Sequence, residues 1–105
     1  MCSLRMTYCY TWNMRIRIHP HALEHGLTGR QIVAAYETGA HGAVVRSWDT
    51  HIEPRRWALI GFDDQGRQIE LLFIRLAGDE ILVFHARYLT KGFLAEVRKA
   101  HEQLR

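Results

Sequence analysis

The chain has 105 residues, of which 48% are hydrophobic and 24% charged, a composition typical of one small globular domain spanning residues 1–105. No apolar run is long enough to cross a membrane and the first residues lack a secretory signal's apolar segment, so we expect a cytoplasmic protein without membrane partners. Two cysteines, Cys2 and Cys9, are too few for a disulfide scaffold or a zinc site and are predicted to be free thiols.

The charge of the chain gives a weak indication of its partner. The formal net charge is +3, and twelve arginines stand against two lysines. Guanidinium groups match the geometry of phosphate oxygens, so this bias favours a polyanion such as nucleic acid. Because the excess is small, it raises that expectation only modestly.

The first half of the chain predicts one strand and one helix. Residues 1–13 show no clear period and form either an extension or an extra edge strand. Alternation in Arg15–Ile18 predicts a short strand. Thr28 and Gln31 have the spacing of a capping box, which predicts that a helix begins after Thr28 and runs to the glycine at 39.

The rest of the chain predicts a sheet followed by a helix. The expected strands lie near Ala43–Trp48 and at Trp57–Phe62, Gln68–Leu76 and Ile81–Leu89. Thr90 is placed to cap a final helix over residues 90–104, whose apolar residues recur on one face. The predicted fold class is therefore α+β: a small antiparallel sheet of three to five strands flanked by two to three helices.

The turns suggest how the last strands pair. A two-residue turn at Gly78-Asp79 places Glu70 opposite Arg87 and Leu72 opposite His85. Side chains alternate across a sheet, so Glu70, His85 and Arg87 are expected on one face. A register error of one residue would regroup them.

A second assumed turn adds two more residues to this face. If a four-residue turn pairs Phe62 with Arg67, Trp57 lies opposite Leu72. Trp57 then shares the face of His85, with Arg55 close by.

Several short patterns of the chain resemble the BrnT family of bacterial toxins, part of the wider RelE/ParE-like group. The resemblance covers residues 15 to about 100, and each pattern is short, but their order and spacing agree. The matching patterns are His25-Gly26 before a helix, the run Glu53–Gly61 with Arg56-Trp57, Gly66-Arg67, and Ala86-Arg87-Tyr88-Leu89-Thr90 at the end of a strand.

The resemblance implies the toxin of a type II toxin–antitoxin system. Such a toxin is an endoribonuclease that cuts mRNA without a metal or other cofactor and thereby stops translation. Its partners would be mRNA and a cognate antitoxin that covers it. The sequence leaves open whether the chain forms a homo-oligomer.

Four residues are candidates for catalysis. RNA cleavage without metal needs a base, an acid and cations at the phosphate. His85 can give or take a proton near neutral pH, Arg87 and Arg55 can bind phosphate, and Glu70 can orient His85 or act as the base. A simpler interpretation is a cross-strand ion pair between Arg87 and Glu70, with a polar histidine beside it.

Five further residues are candidates for contacting RNA. Trp57 and Tyr88 can stack on a base, while Arg56, Arg46 and His25 can contact phosphate or base edges.

Other hypotheses stay open. The same fold could be a non-catalytic module that binds nucleic acid or protein, since the opening His21-Ala22…Gly26 also fits a family of small uncharacterised bacterial domains. ParE-like relatives allow DNA gyrase as the target. His21 and His25 have the i, i+4 spacing of metal ligands, but no third ligand is obvious and no metal site is predicted.

Overall fold

The structure is a computed structural model that describes residues 7–10, 15–46 and 51–103. It contains two α-helices, α1 (Gly29–Gly39) and α2 (Lys91–Gln103). Its six strands are β1 (Thr7–Tyr10), β2 (Arg15–Ile18), β3 (Val44–Val45), β4 (Trp57–Phe62), β5 (Gln68–Arg75) and β6 (Glu80–Tyr88). Short 3-10 turns follow β2 at Pro20–Leu23 and α1 at Ala40–Gly42.

The six strands form one mixed sheet in the order β1-β2-β6-β5-β4-β3. All neighbouring strands are antiparallel except β2 and β6, which run parallel. The predicted α+β class is confirmed. The sheet has six strands, more than the expected three to five, and it is not wholly antiparallel. Both differences arise because β2 pairs in parallel with β6 as well as antiparallel with β1, which joins β1 and β2 to the rest of the sheet.

Each helix covers one face of the sheet. Buried side chains of α1, among them Ile32 and Ala35, pack with Leu59, Leu71 and other residues on what we call the α1 face. The opposite α2 face is covered by Phe93, Val97 and Ala100 of α2, which pack against Val44, Ala58 and Leu72. Alternate residues of β4 and β5 thus enter separate cores, as the pleat of a strand requires.

The start of α1 has the predicted capping box. Thr28 Oγ1 accepts a hydrogen bond from the Gln31 amide at 3.2 Å, and Gln31 Oε1 accepts one from the Thr28 amide at 2.9 Å. The helix then lies directly against β4, because a side chain at Gly61 would collide with the carbonyl of Ala35. This close approach fixes α1 on its face of the sheet.

The start of α2 is capped by Thr90, whose Oγ1 accepts a hydrogen bond from the Phe93 amide at 3.4 Å. The predicted apolar stripe is buried at Phe93, Val97 and Ala100, while its last member, Leu104, lies outside the described residues. An ion pair between Arg46 Nε and Glu96 Oε2 at 2.8 Å joins α2 to the end of β3.

The register of β5 and β6 is confirmed at the two pairs that matter for the site. Glu70 lies opposite Arg87, and Leu72 lies opposite His85. Nearer the turn the prediction is wrong: the assumed turn places Leu76 opposite Ile81, but Arg75 takes that position. A β-bulge lies between the two parts of the ladder, where Phe73 pairs with Val83 and Phe84 is left as an extra residue in β6.

The predicted register of β4 is also wrong. Phe62 pairs with Gln68 instead of Arg67, so that Trp57 lies opposite Phe73. The turn holds one more residue than expected because Asp63, at its start, bonds the backbone of the residues that follow. A shift of one residue moves every side chain of a strand to the other face.

Some sequence predictions lie outside the described residues. The strand expected near Ala43–Trp48 is seen only as β3, and residues 47–50 are not described. Cys2 also lies outside them. Neither helix of the described chain has the length and apolar character needed to cross a bilayer.

Candidate functional site

Glu70 is a buried carboxylate at the centre of the sheet. It is the third residue of β5 and is only 3% exposed. Glu70 Oε2 lies 2.8 Å from His85 Nε2, while Oε1 accepts hydrogen bonds from the Thr90 amide at 2.8 Å and from Thr90 Oγ1 at 2.7 Å. Both oxygens are thus used, as a buried carboxylate requires.

The ionised form of Glu70 is favoured by these partners. Burial raises the pKa of the carboxyl group, but the hydrogen bonds from His85 and Thr90 outweigh burial and bring the pKa below its ordinary value. An ionised carboxylate can only accept hydrogen bonds, so the Nε2 of His85 is the donor of this pair. The Nδ1 of His85 is then the ring nitrogen that can take up a proton.

The segment after β2 places several histidines beside β6. The His19 amide donates to the Val83 carbonyl at 2.8 Å, and the chain then turns through Pro20–Leu23 along the last part of β6. The result is an open cleft of about 400 Å³, here called the histidine cleft. It is lined by His19, His21, Glu24, His25, Leu72, Phe84 and His85.

The histidine rings of this cleft form two pairs. The His25 and His85 rings meet edge to face, with centroids 5.7 Å apart and an interplanar angle of 70°. The His19 and His21 rings are stacked at 5.0 Å, and His21 Nδ1 lies 3.1 Å from Glu24 Oε2. Within the part of the chain that the structure describes, no three His, Cys, Asp or Glu side chains are arranged to hold a metal ion.

The bulge in β6 is what brings Phe84 and His85 to the same face. In regular alternation, neighbouring residues of a strand point to opposite faces. Here Phe84 packs against the α2-face core, while His85, next in sequence, bonds Glu70 on that same face. Phe84 and His85, which are consecutive in sequence, therefore both line the histidine cleft.

A second cleft adjoins the first on the α2 face. It measures about 300 Å³, and we call it the arginine cleft. It is lined by Arg46, Pro54, Arg56, Ile74, Leu82 and Phe84. Phe84 lines both clefts, so they are neighbours along the same surface.

The structure brings the predicted site residues Glu70, His85 and His25 together at the histidine cleft. It brings two others, Arg46 and Arg56, together at the arginine cleft. Arg87 is exposed on the strand opposite Glu70, but no ion pair joins these two described residues. The simpler interpretation as an Arg87–Glu70 pair is therefore wrong, since His85 takes that place. Arg55 is exposed ahead of β4, with its Nε 3.6 Å from Glu53 Oε2, and lines neither cleft.

Trp57 does not lie with His85 as the sequence predicts. It belongs to the α1 face, where it packs against that core, stacks on Phe73 at 6.5 Å and lies under Arg75 at 3.9 Å. The one-residue difference in the register of β4 is the reason.

Tyr88 also lies apart from the histidine cleft. Its hydroxyl accepts a hydrogen bond from Gln31 at 3.2 Å, and Arg67 lies over its ring at 5.2 Å. Tyr88 is 42% exposed, so its ring is accessible near the start of α1, away from the surface that carries His85.

The lining residues that were not predicted as site members from the sequence include His19, His21 and Phe84. The crowding of His19, His21 and His25 was a usable signal, but it pointed to a helical metal pair. The 3-10 turn ends at Leu23, so no helix carries both His21 and His25. Phe84 could not be found because alternation placed it in the opposite core.

No family model, curated protein or solved structure matches the chain. Its function has therefore to be argued from the residues of the two clefts.

Proposed function

We propose that this protein is a metal-independent endoribonuclease that acts on mRNA, the toxin of a type II toxin–antitoxin system. The observation that supports cleavage is the Glu70–His85 pair, 2.8 Å apart, at a cleft where His25 meets His85 edge to face. Two histidines, one of them held by a carboxylate, are a sufficient acid–base set for RNA cleavage through the 2′-hydroxyl.

In this mechanism His85 is the general base. Its Nδ1 takes the proton of the 2′-hydroxyl as the oxygen attacks the adjacent phosphorus. Glu70, already ionised, holds the ring through Nε2 and stabilises the imidazolium that forms, as the carboxylate of a catalytic triad does.

His25 is the general acid. In its protonated form it gives a proton to the leaving 5′-oxygen, so that a 2′,3′-cyclic phosphate and a free 5′-hydroxyl result. Arg87, exposed on the strand opposite Glu70, supplies positive charge for the phosphorane.

Cleavage of a single-stranded RNA oligonucleotide in the presence of EDTA tests this function. We expect cyclic-phosphate products from the wild type and at least a roughly 100-fold slower rate in His85→Ala, the usual loss for a general base. An otherwise identical strand with 2′-deoxy sugars should stay intact. His41→Ala is the matched control, because His41 is exposed and lines neither cleft.

The proposal fails if the wild type leaves RNA intact, or if His85→Ala cleaves as fast as His41→Ala. In a bacterium, induced expression of the wild type should arrest growth and degrade mRNA, and His85→Ala should do neither. Growth arrest with intact RNA and broken DNA would identify gyrase as the target instead.

A non-catalytic binding module is the second candidate. The observation that favours it is the anchoring of α2 by Glu70, whose hydrogen bonds to Thr90 give the buried carboxylate a role in folding. This candidate predicts binding of a nucleic acid or protein on the α2 face without cleavage. Arg56→Glu should weaken that binding, since Arg56 lines the arginine cleft.

A further inference from the structure

Phe84 occupies the boundary between the two clefts of the α2 face. It is half-buried and lines both of them, with His85 on one side and Arg56 on the other. From this position we infer that Phe84 is a stacking platform for the base next to the cleaved phosphate, and that the substrate is single-stranded RNA. The inference deepens the proposed function and rests on it.

The arginine cleft has the chemistry of a nucleotide subsite. Ile74, Leu82 and Phe84 form an apolar floor that can receive the face of a base, and Arg46 and Arg56 bring positive charge to it. Arg46 is held by Glu96, with its Nε 2.8 Å from Glu96 Oε2, which offsets part of its charge. The cleft's volume of about 300 Å³ is at the lower end of small-molecule sites, in keeping with one base.

Because the two clefts adjoin at Phe84, they provide a path for the polynucleotide across the surface. A base stacked on Phe84 in the arginine cleft has its phosphate near the histidine cleft, where His85 and His25 lie. Stacking supplies affinity without strong sequence preference, because every base has an aromatic face.

A base inside a duplex cannot use this subsite. Both of its faces are covered by neighbouring base pairs, so only an unpaired nucleotide can turn a face toward Phe84. The subsite therefore selects unpaired stretches of RNA over double-stranded RNA.

Binding can be measured separately from cleavage with a fluorescent 2′-O-methyl RNA strand, which lacks the attacking hydroxyl. In fluorescence anisotropy at fixed salt, we expect Phe84→Leu to weaken binding roughly fivefold or more, the usual value of one stacked base. Phe62→Leu is the matched control, since Phe62 is 44% exposed and lines neither cleft. A strand with abasic sites should bind the wild type about as weakly as the intact strand binds Phe84→Leu.

The inference is overturned if Phe84→Leu binds like the wild type while both variants keep their circular dichroism spectra. Equal affinity for a duplex of the same sequence, or for the abasic strand, would overturn it too. His85→Ala separates this result from the proposed function: it should lose cleavage but still bind the 2′-O-methyl strand more tightly than Phe84→Leu does. If His85→Ala loses cleavage but still binds, cleavage is assigned to His85 and stacking to Phe84. If the wild type binds through Phe84 but cleaves no RNA, the binding subsite stands and the ribonuclease proposal is rejected.

Discussion

At the scale of single residues, Glu70 joins three parts of the molecule. One carboxylate oxygen holds His85 of β6, and the other holds Thr90, which itself caps α2. A change at Glu70 therefore affects the candidate site and the docking of a helix at once. Separating the two effects requires a substitution that keeps the shape of the side chain.

The pH dependence of stability should depend on Glu70. Its folded-state pKa lies below the ordinary 4.5, so its contribution is present above that pH and is lost as the pH falls through the lower folded-state pKa. Glu70→Gln removes this titration. Urea unfolding at pH 7 and about pH 3.5 should show a smaller difference in unfolding free energy for Glu70→Gln than for the wild type.

Glu37→Gln is the control for that experiment, because Glu37 is exposed on α1. It should keep the acid dependence of the wild type. An unchanged acid dependence in Glu70→Gln would show that other groups, such as the buried Asp63 with its lowered pKa, govern acid unfolding.

At the scale of elements, the contact between α1 and β4 depends on a missing side chain. A methyl group at Gly61 would meet the backbone of Ala35, which α1 cannot easily move because its neighbours are packed. We expect Gly61→Ala to lower the free energy of unfolding by about 2 kcal/mol or more. Chemical denaturation followed by circular dichroism measures this loss.

Gly92 provides the opposite expectation from the same substitution. It lies in the first turn of α2, and a methyl group there would have no neighbour within 4 Å. Gly92→Ala should stabilise the protein by roughly 0.5–1 kcal/mol, because alanine loses less backbone entropy in a helix. If both variants were equally destabilised, close packing at Gly61 would not be the cause.

The elements themselves could be predicted from sequence, but their register could not in full. Capping residues Thr28 and Thr90 are local signals, and they identified the starts of both helices. The assumed turn at Gly78-Asp79 gave the right partners for Glu70 and Leu72 only because the bulge offsets a one-residue error next to the turn, where Arg75 pairs with Ile81. The bulge at Phe84 adds a residue that no periodic pattern reveals, since it depends on how β6 packs.

The candidate site was predictable to the same extent. Glu70 lies opposite Arg87, and His85 is two residues before Arg87 in the same strand, so Glu70 and His85 share a face. Both strands belong to one hairpin, which makes this a short-range relation. The approach of His25 depends on the parallel pairing of β2 with β6, which is a contact between distant segments. Trp57 was misplaced by one extra residue in a turn, which reverses the faces of a strand.

At the scale of the whole molecule, the parallel pair β2–β6 holds both segments of the histidine cleft in place. Ile16 is fully buried in β2 and lies opposite Ile81 in β6. Ile16→Ala should cost about 2–4 kcal/mol of stability, the usual loss for a large buried aliphatic residue. The amides of β2 and β6 should then exchange with solvent faster, which hydrogen exchange followed by mass spectrometry can measure.

Leu94→Ala is a suitable comparison, because Leu94 is only half-buried and belongs to α2. It should leave the exchange of β2 unchanged. Equal exchange of β2 in Ile16→Ala and the wild type would indicate that the pair is held by its neighbours instead of by this contact.

The parallel pair also determines when the histidine cleft can assemble during synthesis of the chain. During synthesis, β2 and His19–His25 leave the ribosome before α1 and three further strands, and β6 emerges only after these. Until β6 is available, the early histidines have no partner strand, and neither His85 nor Glu70 is in place. A nascent chain therefore carries no assembled cleft, and any activity of that cleft begins only when nearly all of the described fold has left the ribosome.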